Sequence, residues 1–505
     1  MKIKLLIGLV LLVTFIQDSI AVELIGEVSD PRRITKIDEK FYFPAEHARL
    51  RTELFVSDGT EFSNRIITNS RGTVDFVLTK VGQDILYLFS PDAFEGPAEN
   101  RIIELRKLNG DTSELITNFP TSGARDLISV VGVVNAEMFF VLTPPSSGSP
   151  KLYATNGTKQ GTREISANLR RSGGNSAAST FIVQNNAIYY LSRDLLYRVN
   201  PQSNSSTLIY DGLPYNDNGV TFDGETYITE RLFSNQIVIQ ARQEVWLSDG
   251  TPDGTRMVRP LAGNPGINKV SVVNDKLIIA DNSNRLIDAS GNQDIELATD
   301  VLTSSGENII GYPIITESAV VYRSVDRNSR VISGGEVDNT VSVEGLRQVR
   351  IYGDEIVGLR RESESTTEVI KFNMGSITPQ TFLIQDDGDQ VLNRGGSEQG
   401  FFIEIRNASG ATLFVTPKNS SSLALVREFS LGTVVNDFYN ISGRAFFTTR
   451  TPRVAGEILW ATDGTAQGTY SLKYTYMGIE EEEPTQPPLS PLLSPIYMLL
   501  FESEK

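Results

Sequence analysis

The chain contains no cysteine among its 505 residues and a single histidine, His47. Without cysteine, an exported protein gains no stability from disulfides and has neither a thiolate metal site nor a cysteine nucleophile. A single histidine excludes a zinc site built from several imidazoles, and no nucleophile motif accompanies it. Stability therefore has to come from a packed core and from backbone pairing, and no catalytic constellation stands out.

Basic residues are fewer than acidic ones, 46 against 62, which gives a formal net charge of −16 and a pI near 4.8. No cluster of lysine and arginine is present of the kind that a phosphate-binding face needs, so a nucleic-acid partner is not expected. An acidic balance suits an extracellular solute, and it equally suits weak binding of divalent cations.

Long apolar runs are also scarce, and the first one lies at the N-terminus. Lys2 and Lys4 precede an apolar stretch from Leu5 to Ile16, and a small-residue cleavage pattern ends at Ala21. About twelve apolar residues are too few to span a bilayer, so residues 1–21 are predicted to be a signal peptide. We expect a secreted or cell-surface protein that starts near Val22 and has no transmembrane segment after cleavage.

Residues 479–505 differ in composition from the rest of the chain. Four glutamates, Glu480 to Glu483, precede a proline-rich stretch and a short apolar end. This composition predicts a flexible tail with a docking segment rather than a folded unit.

What the chain does have is an internal repeat. Four segments match closely: Glu53-Leu-Phe-Val-Ser-Asp-Gly-Thr60, Lys151-Leu-Tyr-Ala-Thr-Asn-Gly-Thr158, Glu244-Val-Trp-Leu-Ser-Asp-Gly-Thr251 and Ile458-Leu-Trp-Ala-Thr-Asp-Gly-Thr465. A second Gly-Thr follows in three of them, whereas the first has Ser63-Asn64 instead. Fainter copies place the equivalent position at Asn109, Asn200, Ser290, Gly334, Asn373 and Pro417.

The ten marks are spaced by about 45 residues on average, which is the length of a four-stranded propeller blade. Short β-branched and aromatic runs precede each mark, and no long segment outside the leader has helical periodicity. The sequence therefore predicts an all-β propeller of about ten four-stranded repeats over residues 22–478. One large ring and two smaller rings, with a boundary near 265–290, both remain open.

The repeated turn residues are predicted to be structural. These are Asp58, Gly59, Thr60, Asn156, Gly157, Asp249, Gly250, Thr251, Asp463, Gly464 and Thr465. Asp caps nearby backbone N–H groups in tight turns, and Gly supplies a positive φ. A distributed metal or ligand site is the alternative, but Asn156 replaces one of the acids. The aromatics Phe55, Tyr153, Trp246 and Trp460 are likewise expected to pack between blades rather than to form a sugar-stacking platform.

The repeat resembles the ELWxSDGTxxGT repeat that occurs in tandem in exported bacterial proteins. The resemblance is strong in four units and faint in about six, and it covers most of the chain from about residue 30 to about 475. It implies a propeller-like array and an extracellular or surface location. No agreed enzymatic activity belongs to this repeat family, so the resemblance implies none for this chain.

Asp386, Asp387 and Asp389 form the best isolated calcium candidate, because three carboxylates near a glycine offer hard oxygen ligands. The segment lacks the alternating acids and distant glutamate of an EF-hand loop, so a solvated turn is the alternative. No other cofactor is indicated.

These features favour a non-enzymatic binding or scaffold protein that contacts an extracellular protein or glycan through propeller-face loops. The alternatives are a carbohydrate-active hydrolase or lyase with carboxylates around the central channel, and a calcium-stabilised matrix protein. The mature N-terminal strand, from Val22 to Ile25, is predicted to pair beside the last unit and close the ring. The oligomeric state is open.

Overall fold

The computed structural model describes residues 23–27, 34–47, 51–67, 73–90, 102–120, 127–143, 149–169, 181–192, 194–214, 226–229, 232–241, 244–261, 269–273, 275–280, 285–291, 295–298, 314–315, 319–323, 329–333, 340–343, 346–353, 355–373, 379–418, 420–430, 432–441, 444–451 and 457–477. The predicted signal peptide and the predicted tail lie outside these residues.

Ten four-stranded antiparallel sheets make up the described chain, and each is built from four consecutive strands paired in sequence order. We number these sheets blade 1 to blade 10 along the chain. No helix occurs in these residues, and in particular none that is long and apolar enough to cross a membrane. The predicted all-β, propeller-like fold of about ten four-stranded repeats is confirmed.

The first five blades have the following strands. Blade 1 contains β2 (Thr35–Ile37), β3 (Lys40–His47), β4 (Arg51–Ser57) and β5 (Arg65–Ile66); blade 2 contains β6 (Thr73–Val81), β7 (Asp84–Ser90), β8 (Ile102–Asn109) and β9 (Thr112–Pro120); blade 3 contains β10 (Leu127–Val134), β11 (Glu137–Thr143), β12 (Lys151–Thr155) and β13 (Arg163–Ile165); blade 4 contains β14 (Phe181–Gln184), β15 (Ala187–Ser192), β16 (Leu195–Asn200) and β17 (Ser205–Tyr210); blade 5 contains β18 (Thr226–Ile228), β19 (Ile237–Ala241), β20 (Glu244–Ser248) and β21 (Arg256–Pro260).

The second five follow the same plan. Blade 6 contains β22 (Lys269–Val273), β23 (Lys276–Ala280), β24 (Leu286–Asp288) and β25 (Ile295–Ala298); blade 7 contains β26 (Ile314–Ile315), β27 (Ala319–Arg323), β28 (Ser329–Ser333) and β29 (Thr340–Val343); blade 8 contains β30 (Arg347–Tyr352), β31 (Glu355–Ser363), β32 (Thr366–Asn373) and β33 (Gln380–Gln385); blade 9 contains β34 (Gln390–Ser397), β35 (Gly400–Asn407), β36 (Gly410–Pro417) and β37 (Ala424–Phe429); blade 10 contains β38 (Val434–Ile441), β39 (Arg444–Arg450), β40 (Glu457–Thr462) and β41 (Tyr470–Ser471).

One further pair of strands lies outside the blades. β1 (Glu23–Glu27) pairs antiparallel with β42 (Lys473–Met477), and the central partners of this register are Ile25 and Thr475. The predicted pairing of the N-terminal strand beside the last unit is therefore present, because β42 directly follows the last strand of blade 10.

The hydrophobic core consists of layers between successive blades rather than one central core. A sheet that is covered on both faces needs apolar residues at nearly every position, and the second strands meet this need: all six residues of β15 are buried. Blades 2 and 3 share one core layer, which includes Leu86 and Phe140. Full burial of each such side chain contributes about 1.5–3 kcal/mol.

Two of these layers bear on the number of rings. Blades 5 and 6 share a layer that includes Val245 and Leu277, so packing continues across residues 265–290. Blades 10 and 1 also share a layer, in which Phe446 and Phe41 lie 4.7 Å apart between ring centroids. The first and last blades are thus neighbours.

Each blade has two ends that differ in their connections. The links from the second to the third strand and from the fourth strand to the next blade leave from one end, which we call the loop end. The links between the first and second strands and between the third and fourth leave from the other, the turn end. The repeated Asp-Gly-Thr segments lie at the turn end, because each follows a third strand.

Candidate functional site

The repeated turn closes on itself through short hydrogen bonds, as blade 5 shows. The backbone N–H and the hydroxyl of Thr251 both donate to Asp249 Oδ1, at 2.9 and 2.7 Å. The Gly250 N–H donates to Ser248 Oγ at 3.1 Å. These hydrogen bonds lower the pKa of the Asp249 carboxyl, those from Thr251 most of all. The carboxylate therefore serves the turn as an acceptor.

The same two bonds from a threonine recur in blades 1, 3 and 10. They join Thr60 to Asp58, Thr158 to Asn156 and Thr465 to Asp463, at 2.7–3.1 Å. In blade 3 the acceptor is the amide oxygen of Asn156, which accepts both bonds as a carboxylate does. Because the turn requires an acceptor and not a charge, these positions have a structural explanation.

The second Gly-Thr completes the same network. Thr255 Oγ1 donates to Thr251 O at 2.7 Å and also lies 2.7 Å from Ser248 Oγ. A Cβ at Gly254 would lie 2.0 Å from Asp249 Oδ1, so only glycine fits beside the carboxylate. Each residue of the eight-residue pattern from Ser248 to Thr255, apart from the two unspecified positions, is thereby explained.

The turn also packs against the preceding blade. Gly250 has a φ of +88°, and a Cβ there would lie 2.2 Å from the hydroxyl oxygen of Tyr189 in blade 4. A Cβ at Gly157 of blade 3 would lie 3.3 Å from Leu86 of blade 2. The repeated turn is therefore part of the joint between blades.

The four repeat aromatics lie in the layers between blades. Phe55 is fully buried and stacks on Phe43 in the layer between blades 10 and 1. Tyr153, Trp246 and Trp460 lie in the layers that blades 3, 5 and 10 share with the blade before each. A sugar-stacking platform needs an exposed ring face, whereas Trp246 is 9% exposed.

The calcium candidate lies in the short link between blades 8 and 9. The Asp386 side chain is fully buried and forms an ion pair with Arg361 at 2.5 Å. Thr367 Oγ1 donates to the same carboxylate oxygen at 2.6 Å. Asp386 thus has protein donors where a metal ion would need free lone pairs.

The other two carboxylates of this segment have separate partners. Gln385 Nε2 lies 3.4 Å from Asp387 Oδ1, and Asn407 Nδ2 donates to Asp389 Oδ2 at 3.0 Å. Among the residues with described positions, no group of three metal-ligating side chains could hold a metal ion. The three aspartates are close in sequence but do not converge on one point.

We expect millimolar calcium to shift the Tm of the protein by less than about 1 °C, because a ligand stabilises only a fold that binds it. The Asp386 carboxylate already pairs with Arg361, so calcium would have to displace the arginine in order to bind there. The measurement is thermal unfolding with calcium and with chelator. A large rise that the chelator reverses would contradict this expectation and support a calcium role for Asp386, Asp387 and Asp389.

Most of the buried charged side chains lie in blades 8 and 9. The repeat motif did not indicate them. The buried acidic and basic side chains in this part are Glu355, Glu368, Lys371, Asp386 and Glu404, whereas the rest of the described chain has Glu104 and Asp288. Glu404 interrupts the apolar run Phe401-Phe-Ile-Glu-Ile405 in a second strand. A charge inside such a run was the signal that could have revealed it.

Lys371 is the most unusual of these groups. It belongs to blade 8, and its ammonium donates to Pro417 O at 2.7 Å and to Ser420 O at 3.2 Å in the turn of blade 9. Burial lowers the pKa of Lys371, and the nearby carboxylate of Glu355, at 3.9 Å, opposes that shift. The link between the third and fourth strands of blade 9 lacks the Asp-Gly-Thr sequence. Lys371 of the neighbouring blade 8 donates hydrogen bonds to this link instead.

Two buried tyrosines predict a loss of stability at alkaline pH. Tyr87 donates to Ser113 Oγ at 2.7 Å and Tyr190 to Ser206 Oγ at 2.8 Å, and burial raises the pKa of each tyrosine to about 12. Between pH 10 and 12 the unfolded chain loses these protons while the folded chain keeps them. Stability is therefore complete below pH 10 and falls above it, by about 1.4 kcal/mol per pH unit for each tyrosine.

The measurement is urea denaturation at several pH values from 9 to 12. Tyr87→Phe and Tyr190→Phe should each make the fall less steep, and the double variant should have the flattest profile. An unchanged slope in the double variant would contradict this assignment.

No family model and no curated protein matches this chain. Among solved structures, that of two prolyl endopeptidases matches 70% of this chain and 50% of its own, at 11% identity and a TM-score of 0.33. The tricorn protease matches 89% of this chain and 58% of its own, at 8% identity and a TM-score of 0.25.

A third solved structure, Hsv2 of Kluyveromyces lactis, matches 47% of this chain and 71% of its own, at 10% identity and a TM-score of 0.28. The chain thus spans less than two thirds of the length of the first two matched proteins. At these identities the likeness concerns the fold alone, and the fold assignment rests on the ten sheets of this chain.

Proposed function

We propose that this protein is a secreted or cell-surface, non-enzymatic binding or scaffold protein. Its loop-end connections contact an extracellular protein or glycan, and its blades hold those connections in fixed relative positions. Ordered sheets that carry variable loops are a common way to build a binding surface.

The observation that carries this proposal is the unequal length of the connections at the two ends. Between the strands that the structure describes, the four longest stretches are residues 91–101, 166–180, 211–225 and 299–313, and each of them starts at the loop end. At the turn end the longest connection is residues 229–236, and many links are two residues long, such as 82–83 and 135–136. Long connections in a compact domain are uncommon unless they have a function.

The repeated turns at the turn end, in contrast, use their polar groups internally. Their polar side chains donate and accept within their own turns, and their glycines contact the preceding blade. A partner would have to break these bonds to use those groups. Binding is therefore expected at the loop end.

Location is inferred from the sequence. The predicted signal peptide, the acidic balance and the resemblance to an exported repeat family all support export. These features support the location and do not identify the partner.

The test is a binding screen of the protein from residue 22 onward against arrays of glycans and extracellular proteins. Saturable binding without turnover would support the proposal. Replacing residues 215–225, which leaves the buried Leu213 in place, with a short Gly-Ser linker should then weaken binding at least tenfold, whereas Thr158→Ala at the turn end should leave it unchanged. Turnover of any polymer would overturn the non-enzymatic assignment.

A further inference from the structure

The first repeat departs from the others at one place, and the structure gives a reason. Where the other strong copies have Gly-Thr, blade 1 has Ser63 and Asn64. Ser63 Oγ accepts the Asp58 N–H at 3.1 Å and lies 3.2 Å from Ser57 Oγ, so the turn still closes. The serine maintains the turn, which leaves the asparagine to be explained.

Asn64 reaches outside its own turn. It is 2% exposed, and its Nδ2 donates to Glu61 O at 2.9 Å and to Lys473 O at 2.7 Å. The threonine at the same position in blade 5, Thr255, bonds only within the turn, to Thr251 O and Ser248 Oγ. The asparagine side chain is longer than that of threonine and its amide has two N–H donors, whereas the threonine hydroxyl has one. Asparagine can therefore donate both to Glu61 O in the turn and to Lys473 O, which threonine cannot.

Lys473 is held by blade 1 through all its polar groups. Its N–H donates to Glu61 O at 2.9 Å, and its ammonium forms an ion pair with Glu61 at 2.5 Å. The ammonium also lies 5.3 Å from the centre of the Phe62 ring. Both backbone groups of Lys473 therefore bond to blade 1, one to a carbonyl and the other to the Asn64 amide.

Lys473 lies where the chain passes from blade 10 to blade 1. The preceding residue, Leu472, is still bonded to blade 10, since its N–H donates to Leu459 O at 2.9 Å. Lys473 then begins β42, which pairs with β1. On the other side of the same junction, Arg444 and Tyr470 of blade 10 both donate to Gly59 O. The contacts of Lys473 with Glu61 and Asn64, and those of Arg444 and Tyr470 with Gly59, join the last blade to the first.

We propose that Asn64 stabilises this junction. Its hydrogen bond to Lys473 O holds β42 against blade 1, and the ten blades thereby close into one ring. Two smaller rings would each close elsewhere and would leave blade 10 without a place beside blade 1. The departure of the first repeat from Gly-Thr marks the blade that receives the closing strand. This inference is independent of what the loop end binds.

The test is Asn64→Thr, which restores the residue of the other copies and so preserves the turn. Amide hydrogen exchange at Lys473 and along β1 and β42 should become on the order of tenfold faster, because one buried hydrogen bond is lost. Exchange in blades 3 and 4 should not change. Unchanged exchange at Lys473, or an equal rise in every blade, would overturn the proposal.

Two further variants keep the result specific. Thr255→Asn places asparagine at the equivalent position of blade 5, which does not receive β42. This variant should leave exchange at Lys473 unchanged. A cysteine pair at Ile25 and Thr475 should form a disulfide within one chain, cleanly in a protein without other cysteines, and should reverse the effect of Asn64→Thr on β42. A crosslink that forms only between two chains would contradict closure within one ring.

Discussion

Gly250→Ala is expected to lower the free energy of unfolding by about 3 kcal/mol. Two effects combine at this position. An L-residue at a φ of +88° costs about 1–2 kcal/mol, and the new Cβ would lie 2.2 Å from the hydroxyl oxygen of Tyr189 and 2.5 Å from its Cζ. The Tyr189 ring is buried in the layer between blades 4 and 5, so it has little room to move away.

The control is Gly110→Ala in the link between the third and fourth strands of blade 2, which is two residues long. Gly110 also has a positive φ, +63°, but a Cβ there would meet nothing within 4 Å. Only the backbone effect remains, so we expect a loss of about 1–2 kcal/mol. Urea denaturation of both variants measures the difference. Equal losses would show that contact with the preceding blade contributes nothing at this turn.

The architecture could be predicted from the sequence because the repeated signal is local. All ten predicted marks fall at or just after the end of a third strand, including the faint ones at Ser290, Gly334 and Pro417. Alternating apolar residues that end in a turn residue identify such a strand wherever it occurs. Three of the β-branched and aromatic runs that precede the marks, at residues 40–43, 187–191 and 444–449, lie in the second strands β3, β15 and β39.

The contacts between blades could not be predicted from the sequence in the same way, because they join residues that are far apart along the chain. Lys371 stabilises a turn about 46 residues away, and Asn64 bonds to a carbonyl 409 residues away. In the sequence, Asn64 is only a departure from the repeat, and Lys371 is only a charged residue in a strand. The physical reason for each residue appears only when the neighbouring blade is in place.

The candidate calcium segment illustrates the same limit. Asp386, Asp387 and Asp389 are adjacent in the sequence, and their spacing resembles an oxygen-rich turn. Arg361 lies on β31, which is separated by β32 from the strand before Asp386, and sequence spacing gives no sign that it reaches Asp386. Which donors surround a carboxylate is a property of the folded sheet, so the composition of the turn alone was not decisive.

Glu404→Gln is expected to destabilise the protein by about 3–5 kcal/mol. The Glu404 side chain is fully buried, and it forms ion pairs with Arg394 and with Arg406, the latter at 3.1 Å. One of its oxygens also accepts the N–H of Val435 in blade 10 at 3.3 Å. Glutamine keeps the shape but removes the charge, which leaves two largely buried guanidinium groups without a carboxylate.

The control is Glu164→Gln, because Glu164 forms an ion pair with Lys151 at 3.0 Å while both side chains are about half exposed. Water and salt screen such a pair, so we expect a loss of less than about 1 kcal/mol. Urea denaturation at low and high salt separates the two cases: the Glu404 effect should persist at high salt, because a buried site is poorly screened. A small, salt-sensitive loss for Glu404→Gln would mean that the two arginines find other partners or reach water, and that the buried charges of blade 9 do not hold it to blade 10.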